Sequence, residues 1–160
     1  MKEIELVGKI RIYDYDELSE SDRTLVEMAK EATRTSYAPY SHFCVGAALR
    51  LADGTTVTGS NQENAAFPSG TCAERTALFY ANAQYPDLAV RELAVAAYTH
   101  GHFLKAPIPP CGACRQVILG AEERYGAPIR ILLYGEEGTY VAESVKVLLP
   151  LQFAGETMNE

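Results

Sequence analysis

Two predicted helices in this chain open on cysteine, and a fold must bring those two openings together for their chemistry to be used. The first stretch is Thr71-Cys72-Ala73-Glu74-Arg75 and the second is Pro110-Cys111-Gly112-Ala113-Cys114-Arg115. Helix N-termini expose unpaired N–H groups that favour thiolate over thiol. A Cys-x-x-Cys at such a place supports three readings: half of a zinc site, a redox dithiol, or two buried thiols. Composition narrows the choice. No apolar run approaches the ~20 residues of a membrane span, and Met1 is not followed by a basic-then-apolar leader. A cytoplasmic chain is therefore expected. Four cysteines in such a chain (Cys44, Cys72, Cys111 and Cys114) point to metal or redox chemistry over a disulfide scaffold. The formal charge of −7 argues against nucleic acid as a partner.

The rest of the chain reads as a frame for these stretches. Residues 3–13 alternate loosely, which suggests a short strand or arm. Ser19 and Asp22 resemble a helix start, and Leu25, Met28, Ala29 and Ala32 give one apolar face of a helix expected to run to about Tyr37. Two strands around Asp53-Gly54 make a hairpin. Residues 59–71 form an irregular loop. A helix from Cys72 ends before Pro86, an apolar strand covers residues 93–98, and a proline-rich loop leads to Cys111. The helix there runs to about Tyr125 and closes on Gly126. Residues 129–134 are a further strand, residues 144–149 a last short helix, and residues beyond 155 are expected to fray. Strands alternating with helices predict an α/β sheet covered by helices.

Cys72 adds a third thiol to the Cys-x-x-Cys pair. A structural zinc site needs a fourth protein ligand, for which Cys44, His42, His100 and His102 are available. Three ligands with the fourth corner left to water is the catalytic pattern. Glu74 has two readings. It is a first-turn glutamate favoured by the helix dipole, or a carboxylate beside the metal that moves protons. Zinc with three thiolates carries a formal −1, so a guanidinium bonded to a thiolate would offset charge there. Arg75 is the choice for that place. Arg115 is a weaker candidate, equally readable as a surface ion pair.

Cys72-Ala73-Glu74 followed by Pro110-Cys111-Gly112-Ala113-Cys114 resembles the zinc deaminase signature. With cysteine as the first ligand, the chain is similar to the small, homotetrameric, zinc-dependent cytidine deaminases of the cytidine/deoxycytidylate deaminase superfamily. Tyr40-Ser41-His42-Phe43, Gly59-Ser60-Asn61-Gln62-Glu63-Asn64-Ala65 and Leu148-Leu149-Pro150 with Phe153 extend the resemblance over residues 20–154. It implies a three-layer α/β/α fold with a mixed sheet of about five strands. It also implies an arm at 1–18, a catalytic domain at 19–154 and a tail at 155–160.

The resemblance implies roles as well. Cys72, Cys111 and Cys114 would bind one zinc ion per subunit, with Glu74 as the proton carrier. Asn61 and Glu63 would hold the ribose hydroxyls, Phe43 would stack on the base, and the Ala73 N–H would meet the base carbonyl. Phe153 would reach a site in its own or a neighbouring subunit. The activity expected is hydrolytic deamination of cytidine and 2'-deoxycytidine in pyrimidine salvage, by a homotetramer with no nucleic-acid or membrane partner. Alternatives are a blasticidin-type deaminase, a thiol redox protein and a non-catalytic zinc module. Three features depart from the family pattern: Cys44 where proline is frequent, Phe67 where tyrosine is common, and the extension over residues 1–17.

Overall fold

Residues 44–51, 90–99 and 130–133 have almost no polar face, which marks strands covered on both sides. The computed structural model, which describes residues 1–158, bears this out. Its elements are β1 (Arg11–Tyr13), α1 (Glu20–Ala32), β2 (Cys44–Leu51), β3 (Thr56–Ser60), α2 (Ala73–Gln84), β4 (Val90–Thr99), β5 (His102–Phe103), α3 (Gly112–Tyr125), β6 (Arg130–Leu133) and β7 (Thr139–Ala142). The sheet order is β1-β7-β6-β4-β2-β3, with β5 folded back on β4. β4 and β6 are parallel, joined by α3 as the crossover, and the other pairings are antiparallel.

Successive side chains of these strands enter two cores. Ala47, Leu49, Leu93, Val95, Ile131 and Leu133 pack under α2 and α3. Ala48, Ala94, Ala96, Leu132 and Val141 pack under α1, against Leu25, Val26 and Ala29. The result is the expected α/β/α layering with a mixed sheet.

The sheet has seven strands where about five were expected. β5 exists because His100 and Gly101 both have positive φ (51° and 87°), the geometry of a tight two-residue hairpin loop. β1 and β7 are three and four residues long, too short for alternation to stand out. α1 also ends earlier than Tyr37. The Thr33 and Thr35 hydroxyls take the carbonyls of Lys30 and Ala32 (2.7 and 3.0 Å) and tighten residues Thr33–Thr35 into a 3-10 turn. The expected last helix is a 3-10 turn at Val145–Val147. Gly155–Met158, expected to fray, close a further 3-10 turn, and Gly155 N–H donates to Glu123 (3.2 Å). Residues 159 and 160 of the expected tail lie outside the described residues.

Two glycines set where the helices sit. A Cβ on Gly59 in β3 would stand 2.6 Å from the Ala77 nitrogen and 2.9 Å from the Ala73 oxygen, so only glycine lets the first turns of α2 lie this close to the sheet. A Cβ on Gly135, after β6, would stand 2.5 Å from the Lys105 oxygen. That contact seats the proline-rich loop that leads to Cys111. On the opposite sheet face, Arg130 grips Asp22 with two bonds (2.5 and 3.0 Å), and Glu92 bridges Arg130 and Arg50.

Candidate active site

Cys72 and Cys111 are the N-cap residues of α2 and α3, both in extended conformation. Neither side chain caps its own helix, which leaves both sulfurs free to point at each other. Their Sγ atoms lie 3.8 Å apart, and those of Cys72, Cys111 and Cys114 all fall within 4.8 Å of one another. All four cysteines are free thiols. Sulfurs about 2.3 Å from a tetrahedral zinc ion sit about 3.8 Å from each other. The spacing therefore fits zinc. Among the described residues, no histidine, acid or fourth cysteine joins this cluster. Cys44 starts β2 opposite Tyr98 in β4.

The charge in the cluster is unevenly held. Hydrogen bonding with Cys114, then the neighbouring Arg75, pulls the Cys72 thiol well below its ordinary range. The same bond to Cys72, together with burial and the charge of Glu74, pushes Cys114 up. Arg75 Nη2 lies 3.8 Å from Cys72 Sγ, the placement the sequence suggested for it. Its Nε is buried without a partner among the described residues. Glu74 is only 4% exposed, and burial raises its pKa, with the charge of Cys72 adding to the rise. A carboxylate so held accepts a proton more readily than a surface glutamate does.

Arg115 plays neither of the parts first considered for it. Its Nε donates to the Pro110 carbonyl (2.7 Å) and its Nη1 to the Leu148 carbonyl (2.6 Å). It ties the residue before Cys111 to the residue that closes the Val145–Val147 turn.

The loop at 61–71 is pinched at its base. Gln62 and Thr71 exchange both backbone hydrogen bonds (2.8 and 2.9 Å), and Glu63 N–H donates to the Tyr37 carbonyl (2.8 Å). The pinch sets Asn61 and Glu63 beside Cys72, around a cleft of about 520 Å3 that Tyr40, Ser41, Phe67 and Arg75 also line. Glu63 accepts from Tyr40 N–H (2.9 Å), Ser41 N–H (3.3 Å) and the Ser41 hydroxyl. The Ser41 bond leads in holding its pKa below the usual value, so the carboxylate is ionised and aimed. Asn61 bridges the strand start, accepting from Val45 N–H and donating to the Phe43 carbonyl (both 2.8 Å).

Not every residue singled out in the sequence reaches this cleft. Phe43 is half-buried and packs against the core under α2. Ala73 is fully buried at the first position of α2, where helix N–H groups have no intrahelical acceptor. Phe153 is 59% exposed and its carbonyl accepts from Gln116 (2.9 Å), so it stays outside the cleft of its own chain. Ser41 was not singled out. Its signal was local: a serine whose oxygen accepts from the N–H two residues on, here Phe43 at 3.1 Å, is a recurrent turn.

Three thiols from two helix starts, with a buried carboxylate two residues after the first, form a cluster that could hold a metal ion on an α/β/α fold. Residues 19–125 match the family described as the cytidine and deoxycytidylate deaminase zinc-binding region, and the chain belongs to that family. It is 42% identical over 136 residues to the cytidine deaminase of Halalkalibacterium halodurans, covering 85% of this chain and 96% of that one. It is 40% identical over 135 residues to that of Sporosarcina psychrophila, covering 84% and 93%. The crystal structure of cytidine deaminase from Burkholderia pseudomallei superposes with a TM-score of 0.70 at 41% identity, over 85% of this chain and all of that one. Among the described residues, no helix is long and apolar enough to cross a membrane.

Proposed function

We propose that this chain hydrolyses cytidine and 2'-deoxycytidine to uridine and 2'-deoxyuridine, releasing ammonia. The observation that carries the proposal is the buried Glu74 beside three sulfurs at zinc-ligand spacing, next to a cleft lined by an oriented carboxylate. Relatives of similar length named as cytidine deaminases support the substrate.

Cys72, Cys111 and Cys114 would hold one zinc ion per subunit. Bound there, zinc supplies Lewis acidity that brings the pKa of water toward neutrality. Glu74 takes a proton from water and passes it to N3 of the ring, which makes C4 electrophilic. Water's oxygen adds at C4. Glu74, free again, takes the proton of the new C4 hydroxyl and delivers it to the amine, so that the C4–N bond breaks, C4=O forms and ammonia leaves. One buried carboxylate serves both transfers, and the burial that raises its pKa suits it to accept as well as donate. Arg75 draws charge from Cys72. Glu63 and Asn61 receive the ribose hydroxyls. Phe43 and the Ala73 N–H, which do not line the cleft, keep the roles the family resemblance implies for them, stacking on the pyrimidine and meeting the base carbonyl oxygen.

Phe153, exposed on its own chain, is free to reach a neighbouring subunit of a homotetramer, the assembly that the family resemblance implies. Four free cysteines fit a reducing cytoplasm, where the reaction would serve pyrimidine salvage. The test is zinc per chain and ammonia release from cytidine, measured on one sample beside a panel of other aminopyrimidine nucleosides. One equivalent of zinc with release from cytidine and deoxycytidine is expected. Zinc without release, or release only from a blasticidin-type substrate, rejects the proposal.

A further inference from the structure

The ten residues ahead of β1 are exposed and take no secondary structure within the chain. They lie outside the family match, which begins at residue 19. They nevertheless alternate as a strand does, with Ile4, Leu6, Ile10 and Ile12 at even positions and Glu3, Glu5, Lys9 and Arg11 at odd ones. Ile4 is 82% exposed and Val7 85%. The arm runs into β1, the last strand of the sheet. β7 pairs with one edge of β1, and no strand among the described residues pairs with the other. An edge of that kind presents free N–H and C=O groups to any strand that fits.

The order of charges selects what fits. Within residues 3–11, the acids Glu3 and Glu5 come first and the bases Lys9 and Arg11 second, with Lys2 ahead of them. When two copies are laid antiparallel with Val7 opposite Val7, Glu3 faces Arg11, Glu5 faces Lys9 and Ile4 faces Ile10. Leu6 faces Gly8, which leaves it room. A parallel pairing in register would set Glu3 on Glu3 and Lys9 on Lys9, and like charges directly opposite are destabilising. A one-residue slip of the antiparallel pairing sets charges against aliphatic side chains.

The middle of the arm already lies against the chain's own C-terminal segment. A Cβ on Gly8 would stand 3.0 Å from Val147, and a hollow of about 280 Å3 opens where Leu6, Val7 and Gly8 meet Val147, Leu149 and Leu151. We propose that residues 3–11 form a two-stranded antiparallel ribbon with the same segment of a second copy, with Val7 on the twofold axis. The ribbon joins two sheets through their β1 edges.

Cysteine crosslinking of the full chain, read on a non-reducing denaturing gel, tests the register. Val7→Cys brings two thiols together across the axis, within disulfide reach. Ile4→Cys leaves them roughly 20 Å apart, at ~3.4 Å per residue. The covalent pair from Val7→Cys is expected at about tenfold or more over Ile4→Cys and over the unmodified chain. Adding Lys9→Glu and Arg11→Glu to the Val7→Cys chain should cut the yield about tenfold. Mixing that chain with a Val7→Cys chain carrying Glu3→Lys and Glu5→Lys should restore it. Equal yields at positions 4 and 7, no pair at position 7, or indifference to the charge changes overturns the proposal. Assembly through other faces does not affect this comparison.

Discussion

Gly59→Ala tests whether sheet contact sets the catalytic geometry. The new Cβ would meet the Ala77 nitrogen at 2.6 Å and the Ala73 oxygen at 2.9 Å, both backbone atoms in the first turns of α2. Relief to an ordinary contact of 3.4 Å moves the helix by about 0.8 Å. That turn carries Cys72 as N-cap and Glu74, so the movement falls on the thiol cluster and the proton carrier. A displacement near 1 Å costs up to about a hundredfold in rate, and overpacking costs about 1–3 kcal/mol. Turnover of cytidine, followed by loss of ultraviolet absorbance, should fall about 10- to 100-fold, and Tm should drop by about 3–10 °C. Gly120→Ala is the control. Its Cβ meets nothing within 4 Å and it sits inside α3, so the same change should add about 0.5–1 kcal/mol and leave turnover unchanged. A Gly59→Ala protein with parental Tm and turnover within twofold would refute the reasoning.

Three more outcomes are expected. Ser41→Ala removes a hydroxyl donor from Glu63 and an acceptor from Phe43 N–H. KM for cytidine should rise about tenfold with little change in kcat, and a nucleoside lacking both ribose hydroxyls should lose the effect. Arg115→Lys breaks the paired bonds to Pro110 and Leu148. Zinc loss to a chelator should then quicken about tenfold, while kcat of the fully loaded protein stays within about threefold. Asp22 is only 7% exposed. Burial alone would raise its pKa, yet bonding to Arg130 draws it below its ordinary 3.8. Its contribution to stability is therefore complete above pH 3.8 and is lost as pH falls through the lower folded value. Asp22→Asn should cost about 2–4 kcal/mol at neutral pH and flatten the acid limb of a stability-versus-pH curve.

The sequence made the thiol chemistry legible because its signals are local. Cysteines at helix starts, Pro-Cys-x-x-Cys spacing and a glutamate two residues on can be read without the fold. The apolar runs of β2, β4 and β6 and the Asp53-Gly54 hairpin were equally clear, as was the Gly126 cap with its left-handed φ of 59°. Other features depend on distant partners. Arg115 gave no local sign of Leu148, 33 residues away. Gly59 looked like a loop glycine until α2 was laid on it. The pinch at Gln62 and Thr71, which sets Asn61 and Glu63 beside Cys72, is a long-range backbone pairing with no composition of its own. The edge strands β1 and β7 were too short to show a period.

The central claim is that Glu74 moves protons and is not a ligand. Glu74→Gln, purified beside the parent, should keep one zinc per chain and lose cytidine turnover by about a thousandfold or more, since the amide cannot carry the proton. Loss of zinc together with turnover would make Glu74 part of the metal site, and near-parental turnover with zinc retained would contradict the account outright.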